Sequence, residues 1–545
     1  MISNMKNILT LIIAAVFSSI LFMGCEDFLN VKQIDILYNE VFWENEQDVQ
    51  QGVLGVYSLY RGLMVSPMNW YERGDVTTGF FRRGWNGGSS DKLYLLGNFE
   101  DLNGQKSWGD IEYFANWGQF YKVIAMANLA IKKIEGMPES KISAKAKNKY
   151  LGETYFLRGL TYFHILRIWG NAPFIDDAIE SSNQVINSDL TPVLIPRTSD
   201  IEIGKHVIED VDKAISMLEY GIVGSAEWGI RANKGSAEAL MGHTKMWMYF
   251  LAQRDNLSNA DDYLTGAITA LESVVNNGNY TLMPYDSEQD IIKLYDGQSS
   301  EAVFELNVST QSNESFRADY GGITSITCKF VPLNGNKNLD KSSSVNFIPF
   351  SQKTLIYPEF NIVSKTGDKR ANLFFGAWDS PYDEAFSDVS PIANNRDLVT
   401  WMKKYAIMTE DALKSWDEHI AYFAEANIPV FRFTDIYLLL AEAYCKNNQQ
   451  GKALPIVRAI RTRAGLGEYV GSNLEKEVLQ QRVSELIGEG QIYYDMVRNN
   501  WFPNASVMDP SRYTQKGYYW PIAGSILTEN KLVSQTPYWN GKTKW

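Results

Sequence analysis

The chain has 545 residues, more than one hydrophobic core ordinarily serves, so two closely packed lobes or a helical array are expected. Its net charge of −13 argues against nucleic acid as a partner, because holding phosphates takes a basic stripe. Aromatic residues reach 13%, with 15 Trp and 30 Tyr, more amphipathic rings than core packing calls for, which points to some facing a ligand. The cysteines are Cys25, Cys328 and Cys445. They form neither a disulfide framework nor a CxxC metal pair, and no metal or cofactor is expected. Cys445 closes an apolar helical stretch and reads as a small buried thiol. A pairing with Cys328 stays open.

Met1–Gly24 carries one charge, Lys6, followed by the apolar run Ile8–Met23. That run falls short of the ~20 residues needed to span a bilayer, so it reads as the core of a signal peptide. It ends at Leu21-Phe22-Met23-Gly24-Cys25, which resembles a relaxed bacterial lipobox. The resemblance implies cleavage before Cys25 and lipidation of its thiol, with acyl chains worth ~0.8 kcal/mol per buried CH₂ as the anchor. Glu26-Asp27 resembles the acidic tag that sends such lipoproteins to the outer face of the cell.

Phe42, Val49, Val53, Val56 and Tyr60 then recur at helical spacing, with Asn45 as N-cap and Asp48 in the first turn. Periodicity is lost over Ser66–Gly104 and returns at Trp117, Tyr121, Ile124, Asn128, Ile131 and Ile134. Asn128 lies on the apolar face as a satisfied core amide. Tyr150–Trp169 is a strong helix ended by Gly170 and Pro173, and its Glu153, Arg158 and Arg167 are expected in interhelical ion pairs. Helical patterns continue over Ser199–Glu219, Asn233–Leu251 and Ala260–Asn276. Asn279-Tyr280 suggests a turn and Glu301–Glu305 a short strand. Val308–Asn427 is rich in Gly, Ser, Asn and aromatic residues, the composition of long loops. A helix containing Phe431–Tyr444 is apolar nearly all round and must be covered on several sides. Its polar residues Arg432, Asp435 and Glu442 share one narrow arc. A second helix follows over Ala453–Ala464, with Pro455 in its first turn and Gly465 as a left-handed cap. A third helix is expected over Leu474–Arg498. The aromatic tail from Trp520 is expected to pack over the helices.

Helix pairs distributed in this way suggest TPR-like packing, although no strict repeat period is visible. Two blocks carry a family resemblance. "GETYFLRGLTYFHILRIWGNAPF" is one, and "FRFTDIYLLLAEAYCKN", "ALPIVRAIRTRAGL" and "VSELIGEGQIYYDMVRNNW" make up the other. Both resemble SusD-like (RagB/SusD) outer-membrane lipoproteins, as does the closing "WPIAGSILTENKLVSQTPYW" with departures at Ala523 and Thr536-Pro537-Tyr538. Arg482-Val483 and Gln491 also depart from the family pattern, which implies a weakened local ion-pair network. The resemblance implies a mainly α fold of about four degenerate TPR-like hairpins packed with an irregular, loop-rich lobe containing a few short strands. The expected divisions are a signal peptide at 1–24, an N-terminal part at 25–230 and a C-terminal part at 231–545.

No H-E-x-x-H, G-x-S-x-G or Walker arrangement is present. His164 and His243 lie within helical patterns, where a packed role is expected. A glycosidase needs only two carboxylates at a set separation, and with 64 acidic residues that reading stays open without support. Binding fits the composition better: a pyranose presents C–H groups to an aromatic face while neighbouring polar groups bond its hydroxyls. Trp70, Asp75, Arg83, Trp85, Asn86, Tyr320, Trp378 and Tyr382 are the candidate ligand residues, drawn from two loop sectors. The resemblance implies capture of oligosaccharide, or of peptide as in some relatives, and delivery to a SusC-like TonB-dependent transporter for which the protein acts as lid.

Overall fold

A computed structural model describes residues 42–65, 73–75, 78, 115–179, 184, 193–307, 350–351, 367–376, 399–402, 404, 426–502 and 508–543. Helix α1 covers Glu46–Val65. The Asn45 side chain accepts from the amides of Gln47 and Asp48, while the Asp48 carboxylate accepts from those of Glu44 and Asn45. These reciprocal bonds occupy donors a helix start leaves unpaired, as the sequence predicts. Helices α2 (Gly118–Glu135), α3 (Ala144–Trp169) and α4 (Asp200–Met217) follow. Ser143 and Ser199 cap the last two, and Gly170, at φ 68°, ends α3 in a conformation that favours glycine. Helices α5 (Lys234–Arg254) and α6 (Ala260–Asn277) come next, α5 opening with a capping box between Asn233 and Ser236.

After the short helix α7 (Glu288–Tyr295), strand β1 (Ala302–Leu306) is buried along its whole length. Strands β2 (Phe350–Ser351), β3 (Phe375–Gly376) and β4 (Val399–Met402) form a small antiparallel sheet in the order β2-β4-β3, with helix α8 (Arg370–Phe374) leading into β3. Strand β5 (Ile428–Arg432) pairs antiparallel with β1, Ala302 opposite Arg432 and Leu306 opposite Ile428. Phe431 and Arg432 therefore belong to a strand, and α9 begins at Phe433 and runs to Lys446. Extended pairing with β1 overrides the helical spacing of these two residues.

Helix α10 covers Gln450–Arg463 and starts earlier than expected, which places Pro455 inside it. Gly465, at φ 76°, follows as the expected left-handed cap. The largest departure is the segment Leu474–Arg498. It is two helices, α11 (Leu474–Leu486) and α12 (Ile492–Asn499), separated by a turn in which Gly488 and Gly490 have φ of 83° and 77°. Two left-handed residues so close together cannot continue a helix. Short helices α13 (Pro510–Thr514) and α14 (Gly524–Glu529) complete the chain.

Four helical hairpins are formed by α1 with α2, α3 with α4, α5 with α6 and α9 with α10, and each is packed on the next through α2–α3, α4–α5 and α6–α9. One continuous apolar core runs through them. Helix α3 has every residue from Tyr150 to Trp169 buried, which explains why it shows no distinct polar face. Helix α9 is enclosed by α5, α6, α10 and α11, as its apolar circumference requires. The tail packs over the start of the array: the Trp520 amide donates to the Ile168 carbonyl, Trp169 Nε1 to Pro521 O, and Trp539 Nε1 to Tyr519 O. No helix among the described residues is long and apolar enough to cross a membrane.

Candidate functional site: buried charge networks and the mount of the ligand sectors

The polar residues at fixed offsets in the C-terminal block converge in two buried networks. In the first, Arg432 at the end of β5 reaches Glu489 through Nε at 2.7 Å and Glu301 through Nη1 at 3.1 Å. Arg463 of α10 bonds Glu301 at 2.6 Å and Glu485 at 3.1 Å. Arg370 of α8 joins Asp368 at 2.8 Å and Glu485 at 3.0 Å, and Lys404 Nζ lies 2.8 Å from Glu489. Tyr285 and Tyr295 donate their hydroxyls to Glu485 and Glu489, both at 2.8 Å. Among the described residues, four cations (Arg370, Lys404, Arg432, Arg463) thus face four carboxylates (Glu301, Asp368, Glu485, Glu489), all with side chains almost wholly enclosed. Formal neutrality is what makes such a cluster tolerable away from water, since an unmatched charge there is costly. Burial raises the Glu485 carboxyl, but Arg463, Arg370 and Arg432 overcome it and hold the group at about 2.

The second network joins α5, α9, α11 and α12. Arg482 reaches Asp435 at 2.8 Å and Asp495 at 2.7 Å, His243 Nε2 lies 2.8 Å from Asp435, and Arg498 bonds Asp495 and Glu442. Arg482 is fully buried at the centre of this cluster. It supplies the network that its departure from the family pattern is expected to weaken, because its guanidinium spans two carboxylates from different helices.

On α3 the expected interhelical ion pair forms at Arg158, while Glu153 pairs with a residue of the loop before α5. Arg158 makes a bidentate pair with Asp210 of α4 at 2.8 and 2.6 Å, and Glu153 pairs with Arg231. Asn128 accepts from Arg158 at 2.8 Å and donates to the carbonyls of Ile175 and Asp177, the satisfied core amide that its position implies. Arg167 is different, since none of its contacts among the described residues is with a carboxylate. It donates to Gln491 Oε1 at 2.9 Å, approaches His164 Nδ1 at 3.3 Å, and lies 4.2 Å from the ring centroids of both Phe163 and Tyr494. Two aromatic faces take the place of an anion. A cavity of about 20 Å³ lies against it, lined also by Met64, Phe120, His164 and Gln491. It has room for one water and is far below the hundreds of Å³ that a small-molecule pocket needs. His164 bonds Tyr60 Oη at 2.9 Å and packs within the core, as does His243.

Of the candidate ligand residues, Trp70, Arg83, Trp85, Asn86, Tyr320, Trp378 and Tyr382 lie outside the described residues, as do Cys25 and Cys328. Cys445 is free and buried. Seven tryptophans (Trp43, Trp117, Trp169, Trp228, Trp247, Trp520 and Trp539) are core residues, so a tryptophan platform for a ligand must come from the others.

Asp75, the remaining candidate, is fully buried. Its Oδ2 accepts from the amides of Gly488 at 2.7 Å and Gly490 at 3.0 Å, and its Oδ1 from that of Ile492 at 3.0 Å. Burial pushes the carboxyl up to about 7 against the pull of these three amides. The adjoining Gly74 O accepts from the Tyr493 amide at 2.7 Å, and a Cβ on Gly74 would lie 2.0 Å from Gly490 O. Arg73 lies 5.3 to 5.8 Å from the rings of Trp169, Phe120 and Trp520. Arg73-Gly74-Asp75 is thus a clasp that fixes the base of the first candidate ligand sector to the turn between α11 and α12. Local sequence patterns give no sign of this bond, which joins residues more than 400 apart.

Two family models match the chain: one described as the SusD family over residues 252–539, and one described as starch-binding and associating with the outer membrane over residues 27–242. SusD-like protein P38 of Formosa agariphila is 26% identical, the alignment covering 94% of this chain and 96% of the relative. The starch-binding protein SusD of Bacteroides thetaiotaomicron is 25% identical over 32% of each chain. Among solved structures, a SusD homolog from Bacteroides thetaiotaomicron has a TM-score of 0.70 at 23% identity, covering 91% of this chain and 98% of its own. NanU of B. fragilis has a TM-score of 0.66 at 20% identity, covering 93% and 99%. With a family model spanning more than half its length and the fold matched across nine-tenths of it, the chain belongs to the SusD family.

Proposed function

We propose that the protein is a non-catalytic, surface-exposed lipoprotein that captures oligosaccharides and delivers them to a SusC-like TonB-dependent transporter, for which it acts as lid. The observation that carries this reading is the paired family match, one half described as starch-binding and associating with the outer membrane. In the proposed arrangement Cys25 carries the lipid anchor, and ligand is held by Trp70, Arg83, Trp85, Asn86, Tyr320, Trp378 and Tyr382 in the two loop sectors. Asp75 supports the first sector from beneath and does not touch ligand. Two or three aromatic platforms at ~1 kcal/mol each, with a few hydrogen bonds, give dissociation constants of about millimolar to micromolar. That range suits a protein that must release its cargo onward.

Non-catalysis is supported by how the buried carboxylates are used. Hydrolysis of a glycoside takes two carboxyl groups flanking the bond, whereas Glu301, Glu485 and Glu489 are enclosed and held by arginines and a lysine. Affinity electrophoresis and calorimetry against a glycan panel test the reading. Binding of one glycan class, lost in Trp85→Ala, is the expected outcome; binding of peptides and no glycan would replace it with the peptide-binding alternative. New reducing ends appearing in proportion to protein would establish a glycosidase instead.

A further inference from the structure

The turn between α11 and α12 makes two sets of contacts that belong to distant parts of the chain. Its amides point one way: Gly488, Gly490 and Ile492 donate to Asp75. Its acceptors point another way: the carbonyls of Glu485 and Ile487 and the carboxylate of Glu489 all receive Nζ of Lys404. Asp75 borders the sector carrying Trp70, Arg83, Trp85 and Asn86, while Lys404 follows the sector carrying Tyr320, Trp378 and Tyr382.

We infer that the turn Glu485–Ile492 is a shared mount, so that the chain at Asp75 and the chain at Lys404 are energetically coupled through it. The physical basis is the stiffness of the mount. Gly488 and Gly490 hold left-handed conformations, and Gly74 approaches Gly490 too closely for any side chain. The Glu489 carboxylate that receives Lys404 is itself fixed by Arg432 at 2.7 Å. The peptide units at residues 487–490 serve Asp75 through N–H and Lys404 through C=O. Releasing either partner frees a backbone segment that positions the other. Asp75 and Lys404 are positioning residues for this turn, and ligand binding that draws on both stretches of chain depends on both. This last consequence for ligand rests on the binding reading above; the coupling itself does not.

Hydrogen exchange on the full chain tests the coupling without any ligand. In Asp75→Asn, exchange of the Gly488, Gly490 and Ile492 amides is expected to rise about ten- to a hundredfold, the scale of one lost charge-assisted bond. The peptide containing residues 399–404 should accelerate as well, by about threefold or more. In Lys404→Met the reciprocal rise is expected in the peptide containing residues 73–78. Lys404→Arg serves if the methionine variant does not fold. Arg158→Lys, which weakens a remote pair, should leave both peptides unchanged. Acceleration confined to the mutated side, or matched by Arg158→Lys, would overturn the inference. With a glycan that binds the wild type, the double variant should weaken binding by less than the product of the two single effects. A product of independent effects would refute joint positioning of the ligand. Absence of glycan binding in the wild type would count against the proposed function, while the exchange results would still decide the coupling.

Discussion

Replacing Glu485 with Gln removes one negative charge from the cluster and leaves its four described cations facing three carboxylates, Glu301, Asp368 and Glu489. Glu485 accepts from Arg370 at 3.0 Å, Tyr285 at 2.8 Å and Arg463 at 3.1 Å. Its carboxyl is held at about 2 against an ordinary 4.5. That difference corresponds to ~3 kcal/mol favouring the ionised form, and breaking a buried ion pair from one side costs about 3–5 kcal/mol in general. For a chain of this length the unfolding entropy is on the order of 1 kcal/mol/K, so the melting midpoint of Glu485→Gln should fall by about 3–5 °C. Arg458→Ala removes an exposed pair with Glu468 and should shift it by well under about 1 °C. A second readout is independent of absolute stability. Because the folded group titrates below the unfolded one, its contribution is complete above about 4.5 and is lost as pH falls toward 2. Calorimetry at steps between these values should show a shallower acid limb in the variant. Equal midpoints for Glu485→Gln and Arg458→Ala, with parallel acid limbs, would refute the claim that the cluster's charge balance stabilises the fold.

Three further outcomes are expected. Gly74→Ala places a carbon 2.0 Å from Gly490 O, so the clasp must open; urea titration should show a loss of about 2 kcal/mol or more. Burial raises the carboxyls of Asp75 and Glu305 to about 7, so between that value and about 4.5 the folded state binds protons that the unfolded chain has released. Stability should therefore rise as pH falls from 7 to 5, on the order of 2 kcal/mol for each group, and melting curves across this range check the sign. The Cys445 thiol is buried and pushed up to about 12, chiefly by burial, so peptide mapping after iodoacetamide treatment at neutral pH should find it alkylated only in unfolded protein.

The helical hairpins were legible because their signal is local. Apolar periodicity and the Asn45 cap act within a few residues, and the structure places them as the sequence predicts; Ser199 and Asn233, the first residues of two helical stretches, prove to be caps by the same local chemistry. Phe431 departs from its helical spacing because pairing with β1, more than 120 residues away, decides its conformation. The break after Leu486 has a related cause. A glycine within a helical pattern is ordinarily tolerated, and only the bonds from Asp75 and Lys404 show why two of them turn left-handed here. The aromatic, Gly-rich surroundings of Asp75 suggest a ligand contact and do not reveal that backbone amides enclose it. The polar spacing of Arg432, Asp435, Glu442 and Glu485 is visible in the sequence, but whether such residues hold ligand or one another depends on depth in the fold. Composition alone put forward the remaining ligand candidates, and no spacing rule stands behind them.

Helix α3 is completed by the far end of the chain: the Ile168 carbonyl receives the Trp520 amide, and the Trp169 indole donates to Pro521. An early helix finished by late residues cannot take its final packing until residues 520 and 521 have been made. Any product that stops short of residue 520 would leave the end of α3 without its lid of aromatic rings, a ready mark by which proteases could tell an unfinished copy from a complete one.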